Sequence, residues 1–126
     1  MKVVIDASAL LALLWSEPGS EIVSSVMEDA VISAVNWAEI VSKLQERGID
    51  LDVARPMLSE LPVAILPFDA EQAYAAGALR MRSKHLGLSI GDRACLALAA
   101  QLSAPAYTAD KAWAKLDTGV EVVVVR

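Results

Sequence analysis

Short, uniformly apolar runs alternate along the chain with longer stretches in which apolar residues return every three or four positions. The short runs predict strands at 2–6 ("KVVID"), 30–33 ("AVIS"), 62–66 ("PVAIL"), 105–108 ("PAYT") and 120–125 ("VEVVVV"). The longer stretches predict helices over 7–15, 19–29, 35–47, 51–60, 69–85, 90–102 and 111–116. Turn-forming groups punctuate them sensibly: "EPG" at 17–19, "RGID" at 47–50, "LGLS" at 86–89 and "DTG" at 117–119. Strands without polar alternation are buried on both faces. Strung between helices, they predict an α/β domain with a mainly parallel sheet of five strands. No repeat, linker or low-complexity segment interrupts this order, so residues 1–126 read as one domain. Two helical segments fall between the second and third strands and could form a small arm or partner surface.

Composition sharpens the picture. With 126 residues, 56% of them hydrophobic, and a mean hydropathy of +0.46, the chain can fill a core without disulfides or metals, and disorder is excluded. No apolar run reaches the roughly 18 residues of a membrane span; the richest, "ACLALAAQL" at 94–102, reads as a buried helix. Lys2 leads straight into "VVIDAS" without a signal-peptide pattern, and the single cysteine, Cys95, allows no intrachain disulfide. A cytoplasmic protein is the expectation. The net charge of −5 argues against nucleic-acid binding through a general basic surface. It leaves room for an enzyme that meets phosphates through a bound cation, and it suits a basic protein partner.

The placement of the acids raises the chemical question. Asp6 ends the first strand, Asp110 follows "PAYTA", and Asp92 lies in the first turn of the most apolar helix, "LSIGDRACLALA". In an open parallel sheet the carboxyl-end loops converge on one edge, and ligands bind where the strand order reverses. If the first and fourth strands are neighbours, Asp6 and Asp110 share a rim. Each acid also has a local role: Asp6 and Asp110 as helix caps, and Ser89 with Asp92 as a capping box. Clustered, however, carboxylates repel and need a cation to stay ionised. Glu39 reads differently. Trp37, Ile40, Val41 and Leu44 form the apolar face of helix 35–47, and Glu39 falls nearly opposite, where periodicity makes it a solvated residue.

Other chemistries drop out. His85, the sole histidine, sits in the basic stretch "RMRSKH" and reads as surface. One cysteine and one histidine exclude a closed zinc site and a Cys-His or Ser-His-Asp mechanism. The first strand runs into "DASALL" with no glycine-rich phosphate loop. An all-carboxylate site selects a hard cation, Mg2+ or Mn2+, and supports phosphoryl transfer.

Four segments carry a family likeness: "VVIDASALLALL" at the start, "VNWAEI" at 35–40, "LSIGDRACLALAAQL" at 88–102 and "AYTADKAW" at 106–113. Together, in this order and over the whole chain, they resemble the PIN domain, and more narrowly the VapC-type toxins of toxin–antitoxin pairs. The resemblance implies a three-layer α/β/α fold and a metal-dependent endoribonuclease. Its acidic pocket would be built from Asp6, Glu39, Asp92 and Asp110, which moves Glu39 from surface to site. It implies that Asp6, Asp92, Asp110 and Glu39 surround one or two Mg2+ or Mn2+ ions, held directly or through water, and that Glu39 also orients or deprotonates the attacking water. Ser8 and Thr108 match small hydroxyl positions that hold metal waters or a carboxylate, with helix capping as their ordinary use. Arg93, and Arg80, Arg82 and Lys84 in "ALRMRSKH", are candidate phosphate contacts, against the plainer reading of a solvated helix face. Trp113 matches a frequent family aromatic and is expected to pack the short helix that follows Asp110.

The implied partners are an RNA substrate, a cognate VapB-like antitoxin and a second copy of the chain, with no membrane. "LLALLW" at 10–15 is apolar enough to receive an antitoxin peptide, although core packing is the commoner use of such a run. The competing class is a non-catalytic module. A receiver-like domain would use Asp69 as its acceptor but lacks an acidic pair after the first strand, and a PIN-fold scaffold would normally have lost an acid that this chain keeps.

Overall fold

The computed structural model describes residues 1–126. Five strands, β1 (Val3–Ile5), β2 (Ala30–Ser33), β3 (Ala64–Leu66), β4 (Ala106–Thr108) and β5 (Val122–Val124), form one sheet in the order β3-β2-β1-β4-β5. Every neighbouring pair is parallel. The helices are α1 (Ala7–Leu14), α2 (Ser20–Val26), α3 (Ala34–Glu46), α4 (Leu51–Ser59), α5 (Ala70–Ala78), α6 (Arg80–Ser83) and α7 (Ile90–Leu102). None is long and apolar enough to cross a membrane.

Alternation along the central strands sends side chains into two cores, one on each face. Val3, Ile5 and Ile32 pack with Leu10, Ile40, Leu44 and Leu58 from α1, α3 and α4. Val4, Val31 and Ala106 pack with Cys95, Leu96 and Leu98 of α7 and with Trp113. Helices on both sides explain why β1 and β2 are buried throughout and carry no polar alternation. The three-layer arrangement expected from the sequence is the one observed.

Trp113 is fully buried, as expected, and His85 is exposed. The run 10–15 takes the core role: Leu10, Leu11 and Ala12 are buried, and Leu13, Leu14 and Trp15 pack partly buried against the same cluster. Three predicted helices are modified. The stretch 69–85 breaks after Ala78 into α6 and a 3₁₀ turn, Lys84–Leu86. Ser83 Oγ donates to the Leu79 carbonyl at 2.8 Å, beside the Ser83 N–H bond to the same oxygen at 3.1 Å. The stretch 19–29 ends in a 3₁₀ turn at Met27–Asp29, and 111–116 is wholly 3₁₀, Lys111–Lys115, too short to close α-helical turns. Before α2, Gly19 has φ +98°, and a Cβ there would stand 2.6 Å from the Val125 carbonyl oxygen, so only glycine lets the C-terminal segment lie against this turn.

Candidate active site

β1 lies beside β4, and the chain leaves this pair in opposite directions across the sheet, so the strand order reverses there. The carboxyl ends of β1 and β4 deliver Asp6 and Asp110 to that point. β2 runs into α3, which brings Asn36, Glu39 and Lys43. The first turn of α7 adds Asp92. These residues, with Ser8, line one cavity of about 200 Å³.

Asp6 is 3% exposed and almost saturated with donors. Its Oδ1 accepts the Ala9 N–H at 2.8 Å, which caps α1, and the Ser8 hydroxyl at 2.8 Å; its Oδ2 accepts the Thr108 hydroxyl at 2.6 Å. Ser8 in turn accepts the Ala109 N–H at 2.9 Å, and Thr108 accepts the Asp110 N–H at 3.1 Å. Of their expected uses, Ser8 and Thr108 thus hold a carboxylate. They also stitch α1 to the end of β4. Burial pushes the Asp6 carboxyl up to about 6 in spite of the hydrogen bonds from Thr108, Ala9 and Ser8, and the charge of Asp92 adds to the rise.

Asp92 forms the capping box with Ser89. Its Oδ2 accepts the Ser89 N–H at 2.9 Å, and its own N–H donates to Ser89 Oγ at 3.2 Å. Burial raises its pKa, with the charge of Asp110 adding to the shift and Arg93 opposing it. Asp110 is exposed and caps the following turn through the Ala112 N–H at 2.9 Å. The capping roles read from the sequence are therefore real, and the same residues converge.

Glu39 departs from its periodicity. It is half-buried, because the polar side of α3 faces α7 across the cavity; Asn36 Nδ2 donates to its Oε1 at 2.9 Å. Burial raises its pKa, Asn36 and Lys43 oppose the rise, and Asp92 adds to it.

The arginines sit elsewhere. Arg93 Nη1 donates to the Ala76 carbonyl at 3.1 Å, fastening α7 to α5. Arg82 donates to the Asp117 carbonyl at 2.9 Å, and Arg80 and Lys84 are exposed. Of the chain's cations, Lys43 lines the cavity, and the sequence reading passed over it. The signal was present: Asn36, Glu39 and Lys43, spaced three and four apart, form one polar stripe on α3. Asp69 caps α5 by accepting the Gln72 N–H at 3.0 Å.

As they stand, no three carboxylates converge closely enough to bind one ion directly. The donor set still fits a hard divalent cation. It consists of carboxylates gathered around one cavity, three of them with pKa raised by burial, and Mg2+ ordinarily keeps most of its waters and takes only one or two carboxylates.

An all-parallel α/β sheet that gathers carboxylates at its switch point defines a class of small acidic-centred domains. Within that class the chain belongs to the PIN domain family, whose profile matches residues 3–119. The fold is shared with a toxin–antitoxin complex from Klebsiella pneumoniae, at 20% identity, TM-score 0.77, 99% of this chain and 98% of that one. DNA-bound VapBC from Salmonella typhimurium aligns at 12% identity and TM-score 0.75 over 98% and 97% of the two chains. VapC20 of Mycobacterium tuberculosis, a sarcin–ricin-loop-cleaving toxin, aligns at 18% identity and TM-score 0.71 over 92% and 97%. No curated protein matches the chain by sequence.

Proposed function

We propose that the protein is a divalent-metal-dependent endoribonuclease of the VapC type, the toxin of a toxin–antitoxin pair. The observation that carries this reading is the single cavity lined by Asp6, Glu39, Asp92 and Asp110, with burial holding three of these carboxyls above their ordinary pKa. Such a cavity favours whatever neutralises it.

Asp6, Glu39, Asp92 and Asp110 are the groups that would hold Mg2+ or Mn2+, directly or through water. A bound ion of this kind polarises a phosphodiester and acidifies a water. Asp6 is kept in place by Ser8, Thr108 and the α1 backbone, so its geometry is fixed before any ligand arrives. Glu39, whose pKa burial raises, orients the attacking water and takes its proton. Lys43, on the cavity wall, offers a phosphate a positive charge, and Arg80 and Lys84 are exposed.

A VapB-like antitoxin and a second copy of the chain complete the set of partners. The aligned toxin–antitoxin complexes support the antitoxin. For its docking surface we favour the apolar groove of about 640 Å³ between α3 and α4, lined by Trp37, Val41, Leu51 and Leu58, over the buried run 10–15.

The test is cleavage of labelled RNA with the metal removed and restored. Cutting should stop in EDTA and return with Mn2+ or Mg2+; undiminished cleavage in excess EDTA would overturn the proposal.

A further inference from the structure

Two residues around Glu39 break local rules, and both breaks point at its carboxylate. Asn36 is 1% exposed. Its Nδ2 donates to Glu39 Oε1 at 2.9 Å and to the Gly91 carbonyl at 3.0 Å. Both partners are pure acceptors, so the orientation of the amide is fixed by chemistry. Its Oδ1 is buried without a partner, a cost that an apolar residue would avoid. The donor side must therefore be what the position requires.

Gly91 is the second break. It stands in the first turn of α7 with no left-handed φ, where alanine would make a better helix. A Cβ at this position would meet Glu39 Cδ and Oε2 at 2.6 Å. The missing side chain is the space in which the carboxylate lies.

We infer that Asn36 and Gly91 form a clamp across α3 and α7 that fixes the Glu39 carboxylate relative to Asp92, the next residue along α7. Asn36 is a positioning residue that acts through Glu39, and Gly91 is the floor beneath it. The inference rests on the metal-dependent reading above and adds the determinant of one carboxylate's position.

Gly91→Ala separates position from folding. The group it displaces is the far end of a flexible side chain and the helix gains propensity, so the melting temperature should hold or rise. Mn2+ affinity, measured by calorimetry, should nevertheless fall about tenfold, as for other groups that orient a metal ligand. The kcat on RNA should drop while KM holds, the pattern of an interaction made in the transition state. Asn36→Ala should weaken Mn2+ similarly, yet change nothing further in a Glu39→Gln background, because its effect passes through that carboxylate. Variants that bind Mn2+ and turn over like the wild type would overturn the clamp alone, as would an Asn36→Ala effect of equal size in both backgrounds. A wild-type protein that neither binds Mn2+ nor cuts RNA would overturn the functional reading and the clamp with it.

Discussion

At the carboxyl rim of β1 and β4 the chain buries charge; along the flank of α4 and β3 it exposes hydrocarbon. Asp6 is 3% exposed, whereas Val53 is 61% and Ile65 47% exposed. Both regions depart from apolar-inside, polar-outside packing, in opposite directions. The rim spends stability on unfavourable burial and compensates only partly, with the hydrogen bonds from Ser8, Thr108 and the Ala9 N–H. The flank leaves apolar side chains in water without burying them in the core. The difference teaches that a buried charge must be held by specific partners, so its residues are few and interdependent, while an exposed apolar face needs only area and tolerates exchange.

Removing a charge from the rim should have the largest effect. Asp92→Asn should lower RNA cleavage at least about a hundredfold, because the site loses a cation-holding carboxylate. The protein should remain folded, since asparagine can still accept the Ser89 N–H. A variant that cleaves normally would reduce Asp92 to its capping role, and the contrast between the regions would lose its functional half.

The next effect is on stability and is set by pH. The Asp6 carboxyl titrates near 6 when folded against 3.8 as its ordinary value. Between those values the folded chain binds more protons than the unfolded one, so stability falls as pH rises through the window and then levels off. For a shift of this size the loss is about 3 kcal/mol, and Glu39 and Asp92 shift in the same direction and add to it. Denaturant melts of wild type and Asp6→Asn at pH 4 and pH 7 measure it. The wild type should lose more than the variant on going to pH 7, and equal losses would show that burial does not strain this carboxylate.

The smallest effect belongs to the flank. Val53→Lys, on the exposed side of α4, should change stability by no more than about 0.5 kcal/mol. It should also leave Mn2+ affinity untouched in the calorimetric titration. A large destabilisation would mean that this surface is packed, and the two regions would then obey the same rule.

The strands were legible because β1 and β2 are covered on both faces, which leaves short unbroken apolar runs between helical stretches. Asp6, Asp92 and Asp110 were legible as caps, and capping proved compatible with convergence, since all three turns begin at the same edge. Glu39 was not legible from periodicity. The 3.6-residue period separates apolar from polar faces, but it cannot tell solvent from a polar cavity roofed by α7; only the family resemblance moved this residue inward. Arg93 misled through adjacency: consecutive helical residues point about 100° apart, so while Asp92 faces the cavity, Arg93 reaches α5. Asn36 and Gly91 lacked any signal in isolation, because their meaning depends on a contact between residues 55 positions apart.

The order β3-β2-β1-β4-β5 leaves two open margins, and they differ in how readily they would recruit another chain. β3 is three residues long and lies between Pro62 and Pro67, which offer no N–H to an incoming strand. β5 is also short, but it belongs to the run "VEVVVVR", uninterrupted by proline and rich in the residues that favour cross-β stacking. Glu121 and Arg126 bracket that run as gatekeepers. Before the fold closes, this valine margin is the edge more open to strand addition, and the two charges set a polar stop at each end of it.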